Sequence, residues 1–210
     1  IEAFMNDIQL LHTDLNGTDF LYHGSTLHLP LIGVHQSLNV CTVLAVTEQL
    51  KQKGFPIEIN HIKAGLEKVQ FPARWEIVRK HPLIIIDGAH NQDGIDMLKA
   101  SVKQYLPNRI IVAVIGALRD KDTDYMVHAL ADVFHHVITI TPNNPRALDA
   151  KTFALRWIAC GQQTTAAEDI DDAISRAEQL IGENGVILVC GSLFVAAEAR
   201  EKTKYHFMEK

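Results

Sequence analysis

The segment 87–91, with the sequence Asp-Gly-Ala-His-Asn, combines side chains that can bind a nucleotide and directly follows an apolar run. The Asp87 carboxylate can accept two hydroxyl groups, as a ribose presents them, and the His90 ring can donate to a phosphate oxygen. Asn91 or Asp93 can cap a following helix, whose first N–H groups attract anions. We interpret the segment as a ligand-binding loop. The alternative is that Asp87 only ends a strand and His90 faces solvent.

Charged and hydroxyl residues also follow the other apolar runs. The segment 116–122 places Arg119 and Lys121 among aspartates, and one of these cations can bind a substrate carboxylate. The same charges can instead neutralise one another in solvent. Arg146 lies in a Pro-braced turn, and Ser192 follows a glycine where a helix is expected to begin. Ser192 is therefore either a ligand-binding hydroxyl or only the N-cap of that helix.

Two further segments contain polar candidates. Arg74, in the sequence Phe-Pro-Ala-Arg, lies where two parts of the chain meet, and an Arg there can reach a phosphate across a cleft. Gln36 and Asn39 lie at the start of a predicted helix, and either amide can pair with an adenine edge. The spacing alone favours the alternative for Asn39, a polar helix residue in solvent.

The elements that position these residues follow from four short apolar runs rich in β-branched residues: 83–86, 110–115, 137–140 and 186–189. They lack polar alternation, which is typical of strands buried on both faces. Segments with helical periodicity separate them, which predicts an open, mostly parallel α/β sheet with helices on both faces. A short fifth strand is expected near 163–166. Ligands of such sheets bind outside the carboxyl ends of the strands, where the candidate residues lie.

The chain before this sheet has a different pattern. Residues 4–31 are short alternating segments separated by turn residues, which predicts a small β meander. A helix is expected over about 36–53, and a shorter helical stretch near 59–66 lies in a segment with two prolines. The predicted organisation is a first part, a connection and an α/β domain, comprising residues 1–55, 56–75 and 76–210.

Composition excludes several classes of protein. The 210 residues include 20 Lys+Arg and 25 Asp+Glu, and a net charge of -5 gives no support for binding to nucleic acid or an anionic membrane. No apolar run is long enough to predict a membrane span. Three cysteines cannot all pair, which fits a reducing cytosol and predicts a cytoplasmic protein. The eleven histidines are scattered, and we predict no metal site.

Several catalytic motifs are missing from the sequence. No glycine is followed directly by lysine, so there is no G-x-x-x-x-G-K-[ST] phosphate loop. G-x-G-x-x-G, H-E-x-x-H, C-x-x-C and G-x-S-x-G are also missing, which argues against a dinucleotide-dependent dehydrogenase, a zinc peptidase and a serine hydrolase of the α/β type. The chain begins without Met, and we expect it to be part of a longer protein.

Taken together and in this order, the candidate segments resemble the folylpolyglutamate synthase/dihydrofolate synthase family of the Mur ligase superfamily. The segments that carry the resemblance are 33–39, 71–74, 86–91, 116–122, 145–147 and 190–193. The match covers roughly residues 20–200. It corresponds to the C-terminal half of such an enzyme, which implies a Rossmann-like C-terminal domain preceded by a remnant of the central ATPase domain.

The resemblance implies an ATP-dependent ligase that joins L-glutamate to dihydropteroate or to folates. The acid is phosphorylated to an acyl phosphate, and the glutamate amine then displaces phosphate. The C-terminal domain closes over the nucleotide and excludes water. The implied cofactors of the whole enzyme are ATP and Mg²⁺, and the implied partner of this chain is the N-terminal half of the same protein.

The resemblance also implies roles for single residues. The implied nucleotide-binding residues are Asn39 at the adenine, Asp87 at the ribose, and Arg74 and His90 at the phosphates. By a looser analogy with related Mur ligases, Lys121 and Ser192 hold the incoming glutamate. Arg119 is a rival for the role of Lys121.

The sequence departs from the family pattern in two respects. Where the family usually has Trp-Pro-Gly-Arg, this chain has Ala73 before Arg74, so the backbone there must be open to Ala. The family's phosphate loop, magnesium ligands and modified lysine lie in an N-terminal half that this sequence lacks, so we expect the chain alone to be inactive. Two alternatives stay open: the C-terminal half of a cell-wall Mur ligase, and a nucleotide-binding α/β module without catalysis.

Overall fold

The computed structural model describes residues 7–33, 36–182 and 184–208, and only the backbone of the last five of these. Val34 and His35, part of one segment quoted for the family resemblance, lie outside the described residues. The chain divides into two compact units, with the boundary between Phe71 and Pro72.

The first unit is a three-stranded antiparallel meander with two helices. The strands pair in the order β1-β2-β3, and the tight turn between β1 and β2 is closed by a hydrogen bond from Asn16 N to Asp14 Oδ1 (2.7 Å). These elements confirm the meander and both helices predicted within the described residues. Their bounds are β1 (Ile8–Asp14), β2 (Gly17–Tyr22), β3 (Ser25–Leu29), α1 (Gln36–Gln52) and α2 (Ile59–Glu67).

The core of this unit forms between one face of the meander and both helices. Phe20 and Leu27 are fully buried, and α1 contributes Leu44. Ile62 and Leu66 of α2 belong to the same cluster. The helical part of the segment predicted as a connection therefore packs into the first unit.

The second unit is a six-stranded sheet in the order β4-β5-β9-β6-β7-β8. Strands β5 to β9 are parallel to one another, and β4 alone is antiparallel, at the edge beside β5. This confirms the predicted fold class. The bounds of its elements are β4 (Glu76–Lys80), β5 (Leu83–Ile86), α3 (Gln92–Tyr105), β6 (Ile111–Ile115), α4 (Thr123–Leu130), β7 (His136–Thr139), α5 (Ala150–Ala159), β8 (Thr164–Ala166), α6 (Ile170–Leu180), β9 (Val186–Cys190) and α7 (Leu193–Met208).

Strand β4 is the element that the sequence pattern did not predict. Its residues are mostly half-buried, and its register against β5 shifts between Ile77 and Arg79. An edge strand exposes one side to solvent and so carries charged residues such as Glu76 and Lys80. It therefore lacks the apolar run by which the central strands were found.

The helices of the second unit begin where short polar side chains cap them. Asn91 accepts a hydrogen bond from Gly94 N (3.0 Å), which makes it the cap of α3 in preference to Asp93. Aspartates cap α4, α5 and α6 in the same way. Each cap satisfies an amide that the helix leaves unpaired, so the loop before each helix has a defined end.

Three structural observations concern membrane spans, metal sites and cysteine pairing, which the sequence analysis also addressed. Across the described ranges, no helix is both long and apolar enough to cross a membrane. The same part of the chain contains no cluster of three or more His, Cys, Asp or Glu that could hold a metal ion. Cys41, Cys160 and Cys190 are all free thiols.

The central strands dominate the stability of the sheet, and a matched pair of substitutions tests this. Ile187 of β9 is fully buried, whereas Ile158 of α5 is 51% exposed. Ile187→Ala should lower the free energy of unfolding by about 2–5 kcal/mol in urea denaturation, because it leaves a cavity between packed layers. Ile158→Ala should change it by less than about 0.5 kcal/mol. Equal effects of the two substitutions would contradict this account of the core.

Candidate functional site

The loop of residues 87–91, here called the Asp87 loop, follows the carboxyl end of β5. The half-buried Asp87 carboxylate accepts two backbone hydrogen bonds, from Trp75 N to Oδ2 (2.9 Å) and from Ala89 N to Oδ1 (2.8 Å). An ionised carboxylate offers about four acceptor positions. Each Asp87 oxygen therefore keeps a lone pair with which it can bind a ligand hydroxyl.

The ionisation of Asp87 reflects opposing effects. Burial raises the pKa of Asp87 above its usual range, while the hydrogen bonds from Ala89 and Trp75 and the positive charge of Arg74 act in the opposite direction. Further donors to the carboxylate would favour its ionised form. A ligand that brings hydroxyl groups to Asp87 would therefore offset part of the cost of burying its charge.

Arg74 lies in a tight turn, residues 72–76, here called the Arg74 turn. Its neighbours Ala73 and Trp75 both have left-handed backbone conformations, with φ of +56° and +49°. The Ala73 carbonyl accepts a hydrogen bond from Gly88 N (2.8 Å), and Trp75 N donates to Asp87. These two hydrogen bonds join the Arg74 turn to the Asp87 loop, so Arg74 and Asp87 are held in one local structure.

One ring nitrogen of His90 is hydrogen-bonded within the protein, and the other can bind a ligand. Nδ1 lies 2.8 Å from the Gly88 carbonyl oxygen, which can only accept, so Nδ1 carries a proton. The second nitrogen, Nε2, donates to a phosphate only when the ring is protonated, and otherwise accepts. The phosphate contact predicted for His90 therefore requires its imidazolium form.

Three of the predicted residues line one open cavity of about 200 Å³ in the second unit. They are His90, Lys121 and Ser192, and they come from loops after β5, β6 and β9. The remaining lining residues are one further cation, a glycine and three apolar side chains: Arg146, Gly191, Leu118, Leu193 and Phe194. The sheet thus brings His90, one of the two residues predicted for phosphate, together with the two residues predicted for glutamate; Arg74 does not line this cavity.

Lys121 and its rival Arg119 have different surroundings. Arg119 donates from Nη2 to the Pro145 carbonyl (2.6 Å), which commits it to the loop after β7. Lys121 is half-buried and lines the cavity, and its side-chain ammonium makes no hydrogen bond or ion pair with any described residue. This arrangement favours Lys121 as the group that binds a ligand carboxylate.

Ser192 is only 2% exposed and precedes α7. Its Oγ accepts a hydrogen bond from Phe194 N (3.2 Å), so the hydroxyl stabilises the start of the helix, as the alternative interpretation expected. The hydroxyl proton is not used in that bond and can still be donated to a ligand. The neighbouring Cys190 is no candidate nucleophile, because burial, together with the charge of Asp87, strongly raises the pKa of its thiol.

Asn39 lies on α1 of the first unit, whereas Arg74, Asp87, His90, Lys121 and Ser192 belong to the second. Asn39 is exposed, and its Nδ2 donates a hydrogen bond to Oε1 of the buried Gln36 (2.8 Å). The two amides that were candidates for adenine therefore bind each other. The role of Asn39 at an adenine stays a prediction.

Sequence reasoning did not single out the side chains that hold the Arg74 turn. Glu76 Oε2 accepts from Ala73 N (3.0 Å), and Arg200 Nε donates to both Glu76 oxygens. Glu76 and Arg200 are 124 positions apart. No local spacing pattern could have linked them.

This site, at the carboxyl ends of parallel strands in a Rossmann-like sheet, is of the kind found in domains that bind nucleotides and small substrates. The family described as Mur ligase, glutamate ligase domain, matches residues 73–193, more than half of the chain. The chain therefore belongs to the Mur ligase family.

Individual relatives identify the branch of the Mur ligase family to which the chain is similar. The chain is 33% identical over 175 residues to the dihydrofolate synthase/folylpolyglutamate synthase of Bacillus subtilis, covering 83% of this chain and 40% of that protein. It is similar to the Mycobacterium tuberculosis folylpolyglutamate synthase complexed with ADP and AMPPCP, with a TM-score of 0.81 and 29% identity over 94% of this chain and 48% of that one. It is also similar to the Thermotoga maritima folylpolyglutamate synthase, with a TM-score of 0.79 and 27% identity, over 95% of this chain and 46% of that one.

The chain thus spans less than half the length of these relatives. The resemblance to the folylpolyglutamate synthase/dihydrofolate synthase family is confirmed, and the second unit is the C-terminal domain of that family. This favours the folate branch over the cell-wall branch among the alternatives that the sequence left open.

The wall of the cavity at Gly191 is sensitive to added volume. Gly191 has φ of +92°, and a Cβ there would lie 2.7 Å from the Gly116 carbonyl oxygen. Gly191→Ala should therefore lower the free energy of unfolding by about 1–3 kcal/mol in urea denaturation, from backbone strain and overlap together.

Gly182→Ala is the matched control, because a Cβ at Gly182 meets no atom of the described residues within 4 Å. It should change stability by less than about 0.5 kcal/mol. Wild-type stability of Gly191→Ala would show that this tight approach between the loops after β6 and β9 is not required.

Proposed function

We propose that this chain is the C-terminal portion of an ATP-dependent ligase that adds L-glutamate to dihydropteroate, to polyglutamylated folates, or to both. The observation that carries the proposal is the cavity in which His90, Lys121 and Ser192 meet. It combines a phosphate-binding group with a cation and a hydroxyl that suit a carboxylate. Membership of the folylpolyglutamate synthase family supports the reaction class.

In this proposal the second unit binds ATP through the Asp87 loop and the Arg74 turn. Asp87 accepts the ribose hydroxyls with its remaining lone pairs, and Arg74 and His90 bind phosphates. Asn39 is the proposed contact of the adenine. The joined loops support these roles, since Asp87 and Arg74 cannot move independently. The ADP and AMPPCP complex of the Mycobacterium tuberculosis relative agrees with a nucleotide ligand.

The incoming glutamate is the proposed ligand of the cavity itself. Lys121 binds one of its carboxylates, and Ser192 donates a hydrogen bond to it. Holding glutamate by a carboxylate leaves its amine free to attack. The amine adds to the carbonyl of the acyl phosphate and loses a proton, and inorganic phosphate leaves as the amide forms.

The phosphoryl transfer that forms the acyl phosphate requires groups that we place in the rest of the proposed enzyme. The carboxylate of the dihydropteroate or folate substrate attacks the γ-phosphorus of ATP to give the acyl phosphate and ADP, a step that depends on a phosphate loop and Mg²⁺ in enzymes of this kind. This sequence contains no phosphate loop, and we assign no magnesium ligand to it. The proposed source of both is the N-terminal half, which is also the proposed partner of this chain.

The outer face of α1 supports such a partner. Leu38, Val43 and Val46 are each about half exposed on the same helix. Apolar side chains grouped on one helix face usually pack against another element. We propose that the N-terminal part of the central domain covers this face.

The 210-residue chain alone should show no ATP- and glutamate-dependent ligation of folate or dihydropteroate. The reason is that it lacks the groups that form the acyl phosphate. The measurement is incorporation of labelled glutamate into folate, with a full-length relative as the positive control. Clear turnover by the isolated chain would contradict the proposal.

Within a full-length enzyme that contains this chain, substitutions should separate the two subsites. Asp87→Ala should raise the KM for ATP about tenfold or more, because a hydrogen bond to a charged group is lost. Lys121→Met should raise the KM for glutamate by a similar factor and leave the KM for ATP close to that of the wild type. Steady-state kinetics with each substrate varied in turn provide the measurement.

Lys103→Met is the matched control for Lys121, because Lys103 pairs with Asp132 on the surface of the same unit. It should leave both KM values unchanged. Wild-type ATP kinetics of Asp87→Ala would refute the ribose assignment, and wild-type glutamate kinetics of Lys121→Met would refute the glutamate subsite.

A further inference from the structure

The backbone of the Arg74 turn adopts a conformation that its residues disfavour. Ala73 and Trp75, on either side of Arg74, have φ of +56° and +49°. Residues with a Cβ rarely adopt this left-handed region, whereas glycine does so freely. In this chain, surrounding contacts must therefore hold Ala73 in place.

One of these contacts is a carboxylate that lies within the turn itself. Glu76 Oε2 accepts the hydrogen bond from Ala73 N (3.0 Å). Glu76 is in turn bound by Arg200 of α7, whose Nε lies 2.8 and 3.0 Å from the two carboxylate oxygens. The side chains of Glu76 and Arg200 are only 23% and 26% exposed, so solvent weakens their attraction less than that of a surface pair.

Two further hydrogen bonds of the turn come from the Asp87 loop. Gly88 N donates to the Ala73 carbonyl, and Asp87 accepts from Trp75 N. These groups belong to the proposed nucleotide site. Glu76 and Arg200 hold the same turn from the side of β4 and α7, and the proposed function gives neither of them a role.

We propose that Glu76, held by Arg200, is a positioning residue for Arg74. By binding Ala73 N, it stabilises the left-handed backbone from which the Arg74 side chain extends toward phosphate. The inference rests on the proposed function in one respect, the phosphate-binding role of Arg74. It adds that this chain needs the Glu76–Arg200 pair because Ala73, which has a Cβ, disfavours its left-handed backbone conformation.

The test uses a full-length enzyme that contains this chain. Glu76→Ala should raise the KM for ATP about tenfold, since a left-handed residue other than glycine is roughly tenfold less populated without support. The kcat at saturating ATP should stay within about twofold of the wild-type value, because bound ATP selects the correct turn. Glu76→Gln, which keeps an oxygen for Ala73 N, should fall between Glu76→Ala and the wild type.

The decisive variant is the double substitution Ala73→Gly with Glu76→Ala. Glycine adopts the turn without help, so the KM for ATP should return to within about threefold of the wild-type value. A purely structural role of Glu76 predicts a lower melting temperature and a smaller active fraction, with kcat reduced and no rescue by glycine at position 73.

Glu178→Ala is the control for removing a glutamate that binds arginine. Glu178 of α6 pairs with Arg79 of β4 and so also ties this strand to a helix, without contacting the Arg74 turn. It should leave the KM for ATP unchanged.

The outcomes distinguish this inference from the proposed function. A wild-type KM for ATP in Arg74→Ala would refute the phosphate role of Arg74, and the positioning role of Glu76 with it. A raised KM in Arg74→Ala together with a wild-type KM in Glu76→Ala would overturn the inference alone. A raised KM in Glu76→Ala that Ala73→Gly does not restore would also overturn it.

Discussion

The hydrogen bonds from two backbone amides to Asp87 are the interaction on which the site depends. Trp75 N and Ala89 N bind the two oxygens of one carboxylate, at 2.9 and 2.8 Å. One amide belongs to the turn that contains Arg74 and the other to the loop that contains His90. The buried strand β5 fixes the position of Asp87 itself. A single side chain therefore holds two predicted phosphate-binding residues in a common framework, at the cost of a raised pKa for its carboxyl.

The fold was predictable because the central strands are buried on both faces. The run 83–86 and its three counterparts lack polar alternation, and together with the helical segments they identified the parallel sheet and the edge at which ligands are expected. Strand β4 was missed because an edge strand with Glu76, Arg79 and Lys80 does not show that pattern. The loops that contain Asp87, His90, Lys121 and Ser192 were found from their positions after strands, without knowledge of their contacts.

The rest of the site depends on contacts between residues that are distant in sequence. Glu76 and Arg200 meet only because β4 and α7 are neighbours in the fold. The choice between Lys121 and Arg119 depends on the loop after β7, where the Pro145 carbonyl binds Arg119. The left-handed conformation of Ala73 is likewise held in part by a tertiary hydrogen bond, from Gly88 N to its carbonyl, since the intrinsic preference of alanine opposes this conformation. Propensity and spacing describe neighbours along the chain and contain no information of this kind.

The central claim is that Asp87 combines this structural role with recognition of a ribose. The most direct test compares ATP with 2′,3′-dideoxy-ATP in a full-length enzyme that contains this chain, with and without Asp87→Ala. The wild-type enzyme should discriminate against the dideoxy nucleotide in kcat/KM by about tenfold or more, the effect of losing hydrogen bonds to a charged group. Asp87→Ala should use the two nucleotides with nearly equal kcat/KM. Equal discrimination by both enzymes would contradict the account, because the ribose hydroxyls would then bind elsewhere.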